Sequence, residues 1–120
     1  MVVVGLGTDI IEIDRIAEVF RRNPRFGPRI FTSKELGYCL GHQNCFPHLA
    51  ARFAAKEAVA KALGRPFSWQ DVEISNNSNG KPEVYLHGQA KEFAVRKKII
   101  MTMSHSHAYA TAVALVMEDT

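Results

Sequence analysis

The chain opens on a run of apolar, mostly β-branched positions from Val2 to Ile13, interrupted by Gly5, Gly7, Thr8, Asp9 and Glu12. Such a run predicts a strand, with Asp9, Ile11 and Ile13 on one face. Ile13, Ile16, Ala17 and Phe20 then follow the i, i+3, i+4, i+7 spacing of a short helix, stopped by Asn23-Pro24. Thr32-Ser33-Lys34-Glu35 has the spacing of a capping box, and Phe31 is placed to staple onto Leu36. The helix it starts should run to about Leu40, with Gly41 as its terminator. The strongest helical pattern is LAARFAAKEAVAKAL, 49–63, whose alanines favour helix and close packing; Gly64 ends it. DVEIS and EVYLH flank an Asn79-Gly80 turn and predict a β-hairpin. GQAKEFAVRK predicts a further helix. IIMTMSHS and YATAVALVM predict two last strands, joined around Ser106-His107.

This order is α+β, with a mostly antiparallel sheet packed against helices in a single domain over 1–120. It lacks the strand–helix alternation of a dinucleotide-binding unit, and Ile10 stands where a third glycine would be due after Gly5 and Gly7. Two readings of that stretch remain. Either the glycines relieve crowding in an ordinary strand, or a cation belongs between Asp9 and an approaching phosphate.

Composition narrows the class. With 47% apolar and 22% charged residues the chain reads as a soluble globular protein. It holds no apolar run near the roughly 20 residues of a membrane helix. MVVVGLGTD lacks the features of a secretory leader, and Cys39 and Cys45 lack metal spacing, so free thiols in a cytoplasmic protein are expected. The net charge of +3 is unevenly placed. Arg15, Arg21, Arg22, Arg25, Arg29 and Lys34 face only Asp14, Glu18 and Glu35 between positions 14 and 35. That patch suits an acidic partner, or is simply a solvated face. A nucleic-acid partner is disfavoured, because aromatic residues do not interleave with the basic ones along any one strand.

Phe53, Glu57 and Lys61 fall on one stripe of the long helix. Glu57 and Lys61 at i, i+4 could form an ordinary helix-stabilising pair. Alternatively, a carboxylate among so many small residues is a candidate for metal or proton work. Asp9 and Glu57 offer two hard oxygen ligands from separate elements, a donor set that suits Mg²⁺ rather than zinc. Of the five histidines, His105, after Ser104 at the end of an apolar strand, is the one to follow.

GTDIIEIDRI, FTSKEL, LAARFAAKEAVAKALG, DVEI, NGKP and MSHSHAYATA, in this order, resemble the small holo-acyl-carrier-protein synthase type of 4′-phosphopantetheinyl transferase over nearly the whole chain. The resemblance implies the phosphopantetheinyl-transferase α+β fold and a homotrimer with sites in the clefts between subunits. It implies transfer of the phosphopantetheine arm of coenzyme A to a serine of apo-acyl carrier protein, releasing adenosine 3′,5′-bisphosphate, in support of fatty acid biosynthesis. Asp9 and Glu57 match the family's Mg²⁺ ligands. Glu57, directly or through a metal-bound water, would be the base for the serine proton. Lys61 matches a phosphate-binding lysine, and Ser104 and His105 match the block lining the coenzyme's phosphates. Arg15, Arg22, Arg25 and Arg29 match the basic surface that docks the acidic carrier protein, with Phe26 and Phe53 as apolar contacts. One departure stands out. Only RPFSWQ separates Gly64 from the DVEI strand, shorter than the glycine-bearing loop of many relatives, and Arg65 is the candidate to compensate in holding the nucleotide. A scaffold that had lost activity is disfavoured by the presence of Asp9, Glu57, Lys61 and His105.

Overall fold

The computed structural model describes residues 1–119. Strand β1 (Val2–Glu12) leads directly into α1 (Ile13–Arg22), followed by α2 (Phe26–Ile30), α3 (Ser33–Leu40) and α4 (Phe46–Leu63). A single 3₁₀ turn, Trp69–Asp71, precedes the hairpin of β2 (Val72–Asn76) and β3 (Pro82–Leu86). Helix α5 (Gly88–Phe93) and the strands β4 (Lys97–His105) and β5 (Tyr109–Glu118) complete the chain. β1, β5 and β4 form an antiparallel sheet in that spatial order, and β2–β3 form a separate two-stranded sheet beside β4. The α+β, antiparallel expectation holds.

The alternation along β1 decides which residues meet α4. Gly5, Gly7, Asp9 and Ile11 face the helix; Leu6, Thr8 and Ile10 face away. A Cβ on Gly5 would sit 1.8 Å from the carbonyl oxygen of Ala62, and one on Gly7 would sit 2.1 Å from that of Ala58. The two glycines therefore let α4 lie directly on the strand. Ala54, Ala55, Ala58 and Ala62 from the helix and Ala112, Ala114 and Val116 from β5 complete that contact. Small residues on both surfaces bring Glu57 and Lys61 within reach of Asp9.

Local signals acted largely as expected. Thr32 accepts from the Glu35 amide at 3.2 Å and Glu35 accepts from the Thr32 amide at 2.9 Å, closing the capping box. Gly64 ends α4 in the left-handed region, φ 88°, where a glycine costs least. Gly41 follows α3 in an ordinary right-handed conformation, so that helix ends without a left-handed cap.

Three details differ from expectation. α4 starts at Phe46, because Pro47 is tolerated in the first helical turn, where its missing N–H has no partner to lose. Phe26–Ile30 is a short helix hidden in a stretch punctuated by Pro24, Gly27 and Pro28. α5 stops at Phe93, since Arg96 turns the chain at φ 71° and Lys97 already belongs to β4. No helix among the described residues is long and apolar enough to cross a membrane. Both cysteines are free, and burial pushes the Cys39 thiol up to about 11.

Candidate active site

Asp9 from β1 and Glu57 from α4 line one cleft of about 370 Å³, together with Arg15 and Ile16 of α1, Phe26 of α2 and Phe53 of α4. Glu57 also borders the adjoining depression formed by Ala60, Lys61, Gly64, Arg65 and Pro66. It further borders a smaller pocket walled by Pro66, Phe67, Ser68 and Trp69. Glu57 thus stands where three recesses meet, half-buried at their junction.

Lys61 does not form the simple helix pair with Glu57. Its ammonium reaches across to β1, 3.3 Å from Asp9 Oδ1 and 3.0 Å from the Thr8 carbonyl oxygen. Partial burial, and next the charge of Asp9, raise the Glu57 pKa above the usual carboxylate value, while Lys61 opposes the shift. Two carboxylates crowding each other beside one ammonium make a site that gains from added positive charge.

That donor set fits a hard divalent cation. Mg²⁺ typically takes one or two protein carboxylates and completes its shell with water and substrate phosphate oxygens. Among the described residues no cluster of three or more histidine, cysteine or carboxylate side chains could form an all-protein cage.

The candidate docking residues divide between the cleft and its rim. Arg15, Phe26 and Phe53 line the same cleft as Asp9 and Glu57, and the Phe26 and Phe53 rings stack at 6.3 Å. Arg22, Arg25 and Arg29 are exposed, Arg22 in a surface pair with Glu18 at 3.3 Å. Arg65 lies beside Gly64, and its guanidinium sits 5.1 Å from the Phe67 ring and 4.9 Å from the Phe93 ring. The aromatic pair aims a side chain that the short loop alone would leave free.

Ser104 and His105 are not brought to this cleft within one chain. Ser104 lies across β5 from Ile10, on the sheet face opposite α4. His105 is exposed at the end of β4, its ring 5.9 Å from His48, which in turn stacks on His42 at 3.8 Å. Burial, then the neighbouring His42, Arg52 and His105, lower the His48 pKa.

The cleft of Asp9 and Glu57, with Lys61 beside it, can on this fold be set beside known proteins. The profile of the 4′-phosphopantetheinyl transferase superfamily matches residues 5–114. The chain belongs to that superfamily. It is 47% identical to the holo-acyl-carrier-protein synthase of Caldanaerobacter subterraneus, the match covering 93% of each protein. It is 49% identical to that of Moorella thermoacetica, over 92% of this chain and 91% of the relative. Among solved structures, the Neisseria meningitidis holo-acyl-carrier-protein synthase superposes with a TM-score of 0.90 at 28% identity, covering 98% of this chain and all of the other. The Bacillus anthracis enzyme, solved in complex with CoA (3′,5′-ADP), superposes at 0.84 with 31% identity and 98% coverage of both chains. The phosphopantetheinyl transferase fold, and membership of an enzyme family acting as transferases, are thereby established.

Two contributors to the site escaped the sequence reading. Pro66–Trp69, noted only as a short loop, forms a wall of the pocket beside Glu57. Lys56, one residue before Glu57, is buried beneath that wall. The signal available was the polar pair Arg52 and Lys56, four apart on the alanine-rich helix.

Proposed function

We propose that this chain transfers the 4′-phosphopantetheine group of coenzyme A to a serine of apo-acyl carrier protein, with Mg²⁺ held by Asp9 and Glu57. The observation that carries the reading is the meeting of Asp9 and Glu57 in one cleft of a phosphopantetheinyl transferase fold, with the Lys61 ammonium held on Asp9 from the adjoining depression. The serine oxygen attacks the phosphorus that bears the pantetheine arm, and the bond from that phosphorus to the bridging oxygen breaks. Adenosine 3′,5′-bisphosphate leaves with that oxygen and its electron pair. Glu57, with its pKa raised above the ordinary carboxylate value by burial and by Asp9, takes the serine proton. Lys61, now on Asp9, turns to the pyrophosphate and holds the charge that shifts onto the leaving group. Mg²⁺ at Asp9 and Glu57 would supply neutralisation of the pyrophosphate.

Arg15, Phe26 and Phe53 at the mouth, with Arg22, Arg25 and Arg29 beyond it, present a basic, partly aromatic surface to an acidic carrier protein. Steering by such charges acts mainly on the association rate. Gly64, Arg65, Ser104 and His105 are assigned to the nucleotide end of coenzyme A. A second copy of the chain must bring Ser104 and His105 to the cleft. The outward sheet face supports this: Leu6 and Ile10 are 66% and 65% exposed there, with Val113 and Ile100 alongside. A homotrimer covering that apolar face completes each site between neighbours. We assign the holo-carrier it produces to fatty acid assembly and the reaction to the cytoplasm.

Mass spectrometry of an apo-acyl carrier protein incubated with this protein, coenzyme A and Mg²⁺ tests the reaction. A gain of one phosphopantetheine, lost on adding chelator, is expected. An unmodified carrier would overturn the reading. Light scattering of Leu6→Glu beside the unaltered protein tests the assembly, with a fall from trimer to monomer expected.

A further inference from the structure

We propose that the buried Glu35–Lys56 pair positions the wall of the pocket beside Glu57, as a surface against which coenzyme A lies, by fixing the turn Trp69–Asp71 from below. The inference rests on the transferase reading above. The Lys56 ammonium is 2.8 Å from Glu35 Oε1 and donates to the carbonyl oxygens of Trp69, at 3.0 Å, and Val72. Its three N–H bonds each have an acceptor, which leaves the ammonium no rotational freedom. Glu35 is fixed in turn: it accepts from the Thr32 amide at 2.9 Å and the Ile74 amide at 2.8 Å. Both side chains are at most 1% exposed.

What this pair holds is the far end of a strap. Residues 65–68 form no helix or strand, so their course is set by Gly64 at the end of α4 and by Trp69. Pro66, Phe67, Ser68 and Trp69 are the wall facing Glu57. The Trp69 ring also stacks on Phe53 at 5.0 Å, and Phe53 lines the cleft that holds Asp9. Gln70 ties the same turn to the Phe31 carbonyl at 3.0 Å and to that of Pro28. A shift of Trp69 therefore reaches two of the three recesses that meet at Glu57.

Stability alone does not account for the pair. Buried ion pairs are often no better for stability than apolar side chains of similar size, whereas their geometry is directional. A short loop with no regular structure gains most from such a directional anchor.

Trp69 is the only tryptophan of the chain, so its fluorescence reports the turn without labelling. Lys56→Met and the double variant Glu35→Gln/Lys56→Met, which removes both charges together, are compared with the unaltered protein. Increased acrylamide quenching of Trp69 is expected. So is a rise in KM for coenzyme A of about tenfold with kcat changed less than about threefold, the pattern of lost uniform binding. Ser68→Gly, which loosens the strap with the pair intact, should raise the same KM. An unchanged KM in a folded variant, or a fall in kcat alone, would overturn the inference. Failure of both charge variants to fold would overturn it too, making the pair purely structural. Absence of transfer by the unaltered protein would instead remove the functional reading on which the inference stands.

Discussion

Lys56 and Glu57 are neighbours on one helix, yet they live in opposite surroundings. Arg52 and Lys56 share the stripe that α4 buries. Phe53, Glu57 and Lys61 share the next stripe round, which opens to the cleft. On the buried stripe each ammonium proton of Lys56 is matched and its carboxylate partner is enclosed. On the open stripe Glu57 is crowded by Asp9, and Lys61 is half-exposed. The same residue types thus serve as fixed framework on one side and as unsatisfied charge on the other. A charge whose partners are complete has nothing left to offer a ligand, while one short of partners has.

The largest effects should come from emptying the open stripe. Asp9→Ala and Glu57→Ala are each expected to lower transfer by at least about a thousandfold, the scale of losing a principal electrostatic contact. Thermal unfolding should change little, because these side chains are not completed by the fold. A large drop in Tm with measurable transfer would reverse the comparison.

Emptying the buried stripe should do the opposite. Glu35→Ala strands the Lys56 ammonium and two amides, and removing one partner of a buried pair costs about 3–5 kcal/mol. Calorimetry should record a clear fall in Tm. Retention of the Tm of the unaltered protein would mean that Lys56 is not enclosed as described.

How far the sequence reached follows the same division. The capping box was legible because its two bonds join residues three apart, but Glu35's bonds to Lys56 and Ile74 cross 21 and 39 positions and leave no local trace. Gly5 and Gly7 were ambiguous until α4 was seen against them, since a close approach is a property of two segments. Phe53, Glu57 and Lys61 could be grouped by helical spacing, whereas the direction of Lys61, towards Asp9 rather than Glu57, depends on how the helix crosses β1. Ser104 and His105 were placed at a strand end correctly. The sheet order β1-β5-β4, which sets them away from Asp9, cannot be read from spacing.

A smaller effect is expected at Lys61. Lys61→Met should raise KM for coenzyme A and lower kcat together, because the ammonium meets a charge that changes during the reaction. A purely structural tie from Lys61 to Asp9 and Thr8 would give a slight loss of stability and normal kinetics, so steady-state rates beside the Tm decide between them. The raised Glu57 pKa adds a pH signature. As pH falls Glu57 protonates earlier than an ordinary carboxylate, and the Mg²⁺ concentration for half-maximal rate should rise with it; a constant requirement would place the metal elsewhere.

The smallest effects belong to the rim. Charge reversal at Arg15 or Arg22 should raise KM for the carrier protein more than that for coenzyme A. Added salt should act likewise as the Debye length falls from ~10 Å to ~3 Å. Equal losses for both substrates would leave only a generic basic surface.

The central claim is that Glu57 serves chemistry and not the fold, and Glu57→Gln tests it most directly. The amide keeps the shape but neither carries the charge nor accepts the proton. Transfer to apo-acyl carrier protein, followed by mass spectrometry at saturating coenzyme A and Mg²⁺, should be nearly abolished in a variant that melts like the unaltered protein. Near-normal, Mg²⁺-dependent transfer by Glu57→Gln would contradict the account.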